Sequence, residues 1–363
     1  MQKILVNSAI GYTGYGVVGW NIVRSLHKLG IDVTVFPISL QKFTALPKLD
    51  SQEEENLLHQ LTARSFDPKA TCVKIWHQFD LAERIGVGKY IGFPFFEVNK
   101  FNEREIIHLN VPDELAVSSE WAKNILLENG ISKKINIVPL GVDLSVFDYE
   151  KFATEKPKTN TDKYVFLSVG KWEIRKGHDI LLEIFNKAFL PSDNVELWIA
   201  ASSDKSCFSE KELFEWHSYY SSGPLKDKIK IIPRLKTQQE IAELMYLADC
   251  GIFMSRAEGW NLELLEMMSM NRPVIATNYS AHTEFCSEDN CSLVNIDSLE
   301  TAYDGKWFMG QGNWAKIGEE QKDQAVEYMR TMYNNRISEN KHGIKTAQKY
   351  SWENSANCLL RCI

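Results

Sequence analysis

Two glutamates, Glu258 and Glu266, are separated by seven residues in Ser255-Arg256-Ala257-Glu258-Gly259-Trp260-Asn261-Leu262-Glu263-Leu264-Leu265-Glu266, directly after the apolar run Gly251-Ile252-Phe253-Met254. A helix beginning near Asn261 puts Glu258 in the loop at a strand's carboxyl end. Glu266 then lies about one and a half turns inside the helix. A ligand lying over that helix N-terminus offers hydroxyls to both acids, while the free amides of Gly259, Trp260, Asn261 and Leu262 meet any phosphate it carries. Glu266 falls among Leu262, Leu265 and Met268, so it points partly inward and needs a partner. Glu263 reads as part of a solvated helix face.

A second candidate is Gly14-Tyr15-Gly16-Val17-Val18-Gly19, which matches the G-x-G-x-x-G dinucleotide pattern and opens a helix. Two details oppose a nicotinamide enzyme. Ser8 to Thr13 separate the strand from the first glycine, and the second strand, Val33-Thr34-Val35-Phe36, ends without the ribose-binding acid. The physical reading that survives is close backbone approach with free amides facing an anion. A glycine turn with no ligand is the alternative.

Elements able to position these groups alternate along the chain. Strands are predicted near 3–7, 33–37, 72–76, 90–93, 114–118 and 135–138, then near 164–169, 195–200, 228–232, 250–254 and 273–276. Helices fall between several of them; in the first, Val18, Ile22, Leu26 and Leu29 recur at three- and four-residue spacing before Gly30. The class is therefore α/β, two doubly wound parallel-sheet domains, with ligands beyond the strands' carboxyl ends. The polar stretch 148–162 reads as a linker. The expected domains are residues 1–155 and 156–351, with a last helix over 352–363, capped by Ser351, packing back on the first.

Length and composition agree. The chain has 363 residues, 44% of them apolar and 25% charged, with a net charge of −7. That is enough for about two domains with real cores, and both halves are mildly acidic, which disfavours nucleic acid as a partner. Seven scattered cysteines read as reduced thiols of a cytoplasmic protein. No apolar run of about 18 residues exists to span a membrane, which leaves peripheral membrane contact open. Asp-x-Asp pairs, H-E-x-x-H and paired C-x-x-C motifs are absent, so no metal and no cofactor is expected.

Glu258 and Glu266 at this spacing resemble the E-x7-E signature of retaining glycosyltransferases of family 4, which have the two-Rossmann GT-B fold. Other segments agree in order. Val169-Gly170-Lys171-Trp172-Glu173-Ile174-Arg175-Lys176-Gly177 resembles the family's G-R-x4-K-G stretch, and Val138-Pro139-Leu140-Gly141-Val142-Asp143 its P-N-G-V-D turn. Ala248-Asp249, Arg272-Pro273-Val274-Ile275-Ala276-Thr277 and Ser118-Ser119-Glu120 have counterparts as well. The departures are Lys171 in place of arginine, Asn261 in place of a frequent glycine in the sugar-facing loop, and Asn271 in place of glycine.

The resemblance implies that Glu266 binds the ribose hydroxyls of a nucleotide-diphosphate sugar, Glu258 the sugar hydroxyls, and Lys171 and Lys176 the departing diphosphate. Gly14 and Gly16 bring amides to that diphosphate, His77 contacts the sugar, and the base lies near Arg234 and Leu235. The two acids hold ligand and are not a glycosidase-type acid/base pair; retention proceeds by front-face attack. Acceptor recognition falls to the first half, where Tyr12, Tyr15, Trp76 and Glu97 are candidates; the alternative has Phe93 and Phe95 in the core and Glu97 capping a turn. The function expected is a retaining, metal-independent glycosyltransferase acting on a sugar, glycan or lipid-linked acceptor. Rivals are a non-catalytic nucleotide-sugar-binding protein and a nucleotide-sugar epimerase on the same fold.

Overall fold

The computed structural model describes residues 2–38, 49–155, 162–202 and 207–363. They divide into two compact units, one formed by residues up to Asp143 together with Lys349–Ile363, the other by Leu144–Gln348. Each contains a six-stranded parallel sheet. Every strand expected from the sequence forms, with ends shifted by no more than two residues.

In the first unit the order is β1 Lys3–Ser8, α1 Gly14–Lys28, β2 Asp32–Pro37, α2 Gln52–Thr62, β3 Thr71–His77, β4 Tyr90–Phe95, α3 Glu103–Leu109, β5 Glu114–Val117, α4 Glu120–Glu128 and β6 Ile135–Ile137. The sheet runs β2-β1-β3-β4-β5-β6. Central strands of such a sheet are covered on both faces, which is why β4 is buried from end to end. Pro94 extends β4 past its expected end without breaking the ladder, because β5 pairs only with Ile91 and Gly92. In α1, Val18, Ile22 and Leu26 are buried, and Gly30 (φ +79) ends the helix in the left-handed region. The later return segment packs here too: Val142 bridges to Ser351, and a side chain on Gly141 would meet the Ser351 backbone at 2.3 Å.

The second unit begins with α5 Tyr149–Glu155 and continues through β7 Tyr164–Lys171, α6 His178–Ala188, β8 Val195–Ser202, α7 Glu210–Tyr220, β9 Ile229–Ile231, α8 Gln238–Leu247, β10 Cys250–Phe253, α9 Leu262–Ser269, β11 Val274–Thr277 and β12 Ser292–Val294. A hairpin, β13 Leu299–Tyr303 and β14 Met309–Ala315, then leads to α10 Glu319–Asn334 and α11 Lys341–Lys349; α12 Trp352–Leu360 completes the first unit. The sheet order is β12-β11-β10-β7-β8-β9. Asp249 ties two of its central strands together: its carboxylate accepts from Val165 N at 2.7 Å, and its own N–H donates to Val165 O.

Three features differ from the sequence expectation. β12 and the hairpin were not foreseen. The stretch 148–162 is not simply a polar linker either, since α5 packs in the second unit, with Phe152 3% exposed and its ring 5.5 Å from Tyr246. Residues 156–161 of that stretch lie outside the described residues. Helix α12 is capped as expected, the Ser351 hydroxyl accepting from Asn354 N.

Glycines of the first loop fall into two kinds. A Cβ on Gly16 would lie 2.5 Å from Gly11 N, and one on Gly19 2.2 Å from Ala9 O, so the strand-to-helix loop rests directly on α1. Gly14 has open space around it. Gly19→Ala is therefore expected to lower unfolding free energy by about 1–3 kcal/mol. Gly14→Ala should be neutral or stabilising by up to about 1 kcal/mol, since its Cβ meets nothing and it reduces the backbone entropy of the unfolded chain. Denaturant titration of the two variants checks the contrast.

Candidate functional site

β10 lies between β7 and β11, and the chain leaving it, Met254 to Asn261, is buried throughout. Asn261 stands at the N-cap of α9 in the left-handed region (φ +78), where asparagine is better tolerated than most residues. Its carboxamide oxygen accepts from Leu264 N at 3.3 Å, and its Nδ2 lies 2.9 Å from His282 Nε2. His282 Nδ1 is 2.8 Å from the Thr277 carbonyl, so Nδ1 carries the proton and Nε2 accepts from Asn261. Burial holds the imidazole pKa below its ordinary value despite the nearby Glu258 charge. The side chain in place of the frequent glycine thus builds the loop.

Glu258 is 4% exposed and central to the site. Its Oε1 accepts from Ser255 Oγ at 2.7 Å and from Lys176 Nζ at 2.9 Å, its Oε2 from Arg175 Nη1 at 2.8 Å, and its backbone N–H donates to Ser280 Oγ at 2.8 Å. Burial alone would raise its pKa; the Arg175 and Lys176 charges overcome that and hold the carboxyl far below the usual range. Burial acts to lower the Lys176 pKa, and Glu258 and Glu263 more than reverse it. Both groups are charged at neutral pH.

The turn between β7 and α6 supplies the cations. Arg175 also donates to the Ala257 carbonyl and to Glu173 Oε2, each at 2.8 Å, and Arg256 N donates to Arg175 O at 2.7 Å. Gly177 (φ +79) lets this turn approach β10, since a Cβ there would lie 2.2 Å from Met254 O. Gly170 leaves room for the Lys176 alkyl chain, 3.3 Å from where its Cβ would be. Lys171 ends β7 at the same edge, partly exposed. His178, the first residue of α6, is fully buried; burial, then the Lys176 charge, pushes its pKa down to about 3, so it is neutral. Arg256 makes a two-pronged pair with Asp179 (2.8 Å each) and reaches Glu300 of the hairpin at 3.0 Å.

The structure thus brings Lys176 and Glu258 together. Trp260 is buried against Phe285, with ring centroids 4.9 Å apart, and Gly259 precedes it in the same loop. Leu262 opens α9, and Glu266, 6% exposed, lies within it among buried leucines and methionines. Arg234, exposed, and Leu235, half-buried, follow β9. Arg175, Glu173, Ser255, Ser280 and His282 were missed. Arg175 had a signal, since it directly precedes Lys176 in sequence, and Ser255 a weaker one, three residues before Glu258; His282, on a separate segment, had none.

In the first unit the ends of β3 and β4 gather rings. Tyr15 Oη lies 2.9 Å from His77 Nδ1 and 3.1 Å from Phe95 O, and the Tyr15 ring is 5.2 Å from Trp76. His77 stacks on Phe79, 40% exposed, at 4.8 Å. Phe93 and Phe95 are buried core residues, and Glu97 follows them, half-buried. Gly16 owes its lack of a side chain to the Gly11 backbone; Gly14 begins α1 exposed. Among the described residues no group of three or more His, Cys, Asp or Glu side chains could hold a metal ion, and no helix is long and apolar enough to cross a membrane.

Residues 163–304 match the family described as Glycosyl transferases group 1. The chain is 25% identical over 245 residues to the MMP alpha-(1->4)-mannosyltransferase of Mycolicibacterium hassiacum, covering 65% of this chain and 53% of that protein. It therefore spans about half the length of that curated relative. Sucrose-phosphate synthase from Thermosynechococcus elongatus superposes with a TM-score of 0.72 at 14% identity, over 100% of this chain and 98% of the other. Anabaena HepE, solved with UDP-glucose, gives 0.66 at 12% identity, over 100% and 99%. The chain has the GT-B fold, two parallel-sheet Rossmann-like units, and the stretch that matches the glycosyl transferases group 1 model, residues 163–304, lies within the second of them.

Proposed function

We propose that the protein is a retaining, metal-independent glycosyltransferase that moves a sugar from a nucleotide-diphosphate donor to a sugar, glycan or lipid-linked acceptor. The observation carrying this reading is the paired Glu258 and Lys176 beside the N-terminus of α9, with Lys171 at the end of the neighbouring strand. A developing diphosphate charge is met there by two lysines and the amides of Gly259 to Leu262. A carboxylate offers about four acceptor positions, and Glu258 uses three on Ser255, Lys176 and Arg175. It has room to accept from one sugar hydroxyl. Its depressed pKa makes it a poor general base, so the proton of the attacking hydroxyl goes to an oxygen of the leaving phosphate, on the face from which the acceptor enters.

Glu266 is assigned to the ribose hydroxyls, and the backbone at Arg234 and Leu235 to the base. The binding behaviour named for HepE, a complex with UDP-glucose, supports a nucleotide-sugar donor. In this reading the unit Leu144–Gln348 takes the donor, and the unit formed by residues up to Asp143 with Lys349–Ile363 takes the acceptor. The rings of Tyr15 and Trp76, with His77 and Glu97, suit a sugar acceptor. The cytoplasm, where nucleotide-sugar donors are made, is the proposed location.

Glu266→Ala should weaken nucleotide-diphosphate binding at least about tenfold by titration calorimetry; unchanged affinity for UDP, GDP and ADP alike would sink the assignment. Lys176→Ala should lower kcat by about a hundredfold or more. Transfer should survive EDTA and give product with the donor's anomeric configuration by NMR; nucleotide binding with no transfer indicates a binding module, and an altered sugar without acceptor an epimerase. Glu258→Gln leaves two buried cations short of a partner and should cost about 3–5 kcal/mol of stability near pH 7. Because the folded pKa of Glu258 is depressed, its contribution is present above about pH 4.3 and fades as pH falls toward the folded value. The gap between the parent and Glu258→Gln in denaturant titrations should therefore narrow below about pH 4.

A further inference from the structure

Beside the hairpin, and bordered by Glu173, the second unit holds a cavity of ≈ 440 Å³ that the proposed transfer does not use. That is the lower part of the range for small-molecule sites. We propose that it binds a carbohydrate, a hexose unit of a neutral saccharide.

Ring surfaces come from three elements. Trp172, at the end of β7, stacks on Trp216 of α7 with centroids 5.4 Å apart and planes 15° from parallel, which leaves Trp216 half-buried as a rigid wall. Tyr219, three residues further along α7, is fixed by its hydroxyl donating to Asp179 O at 2.6 Å. Trp307, at the hairpin tip, is 51% exposed. Its position is set by Asp304, whose Oδ1 accepts from the N–H groups of Lys306, Trp307 and Phe308 at 2.8, 2.8 and 2.9 Å. Carboxylates stand among these rings, from Glu212 and Glu215 of α7 and from Asp179 and Asp304.

Flat rings suit the C–H faces of a pyranose, and carboxylates accept from its hydroxyls. The charges argue against other small ligands. An anion would face the acids. A cation would find its place taken: the Lys306 ammonium sits 4.3 Å from the Phe208 ring centroid, 5.3 Å from that of Trp307, and donates to Glu212 Oε1 and Cys207 O at 2.6 Å. Arg175 and Arg256 already neutralise Glu173 and Asp179. A neutral polyol is what remains.

This inference rests on the proposed sugar chemistry only for the choice of probes, and nucleotide binding tests that chemistry separately. Saturation-transfer NMR on the full chain, with maltose, α-1,4-mannobiose and methyl α-mannoside as probes, should give a saturable signal for at least one. Trp307→Ala should weaken that probe about tenfold and Trp307→Phe should restore most of it. Glu215→Gln should weaken it several-fold, and Glu266→Ala should leave it unchanged. No saturable signal from any probe, or a signal that Trp307→Ala leaves intact in a folded protein still binding its nucleotide, overturns the inference. So does a signal removed by excess UDP or GDP, or binding of spermidine in place of the sugars.

Discussion

A single buried contact organises the second unit's functional edge: Glu258 between Arg175 and Lys176. It joins the turn after β7 to the loop after β10, two segments that the sequence separates by some eighty residues. A buried ion group of this kind adds little net stability, since removing the charges from water costs about as much as their attraction returns. It does fix geometry, because no partner can leave without stranding another charge. The neighbouring backbone is held in the same way. Asn261 and Ser280 both adopt positive φ, a conformation few side chains tolerate, and both donate or accept hydrogen bonds that keep Glu258 and α9 in register.

Much of this was legible in the residues themselves. The parallel strands announced themselves as short apolar runs, and the helix supposed to begin near Asn261 starts there, with Asn261 as its N-cap. The missed hairpin shows where such reading stops. β13 buries one residue of five outright, Ala302, and β14 carries Gly310 and Gly312 at positive φ, so neither shows the alternation that marks a half-buried strand. Helix α5 failed for a related reason: seven residues with one deeply buried side chain, Phe152, give no readable period. At the site, charged residues could be nominated by type and spacing, but which cation meets which acid depends on contacts between distant segments. Arg175, passed over beside Lys176, turned out to hold the acid from the opposite side.

The glycine loop separates two causes that one motif conflates. Gly16 and Gly19 are required by the loop lying against α1, whatever binds nearby, and only Gly14 is free of that demand. A letter-for-letter match to a nucleotide pattern therefore carries less chemical information than it first suggests. Two of its three glycines serve packing.

The first unit is discontinuous, closed by Lys349–Ile363 after the whole of Leu144–Gln348 has intervened. On a ribosome, the second unit emerges as one uninterrupted stretch and can complete its sheet at once. The first must wait, its α1 surface uncovered until α12 arrives, although it was synthesised earlier. The first unit's six strands all precede Asp143, yet the helix that covers α1 follows the whole second unit, so the unit begun first is the last to be closed.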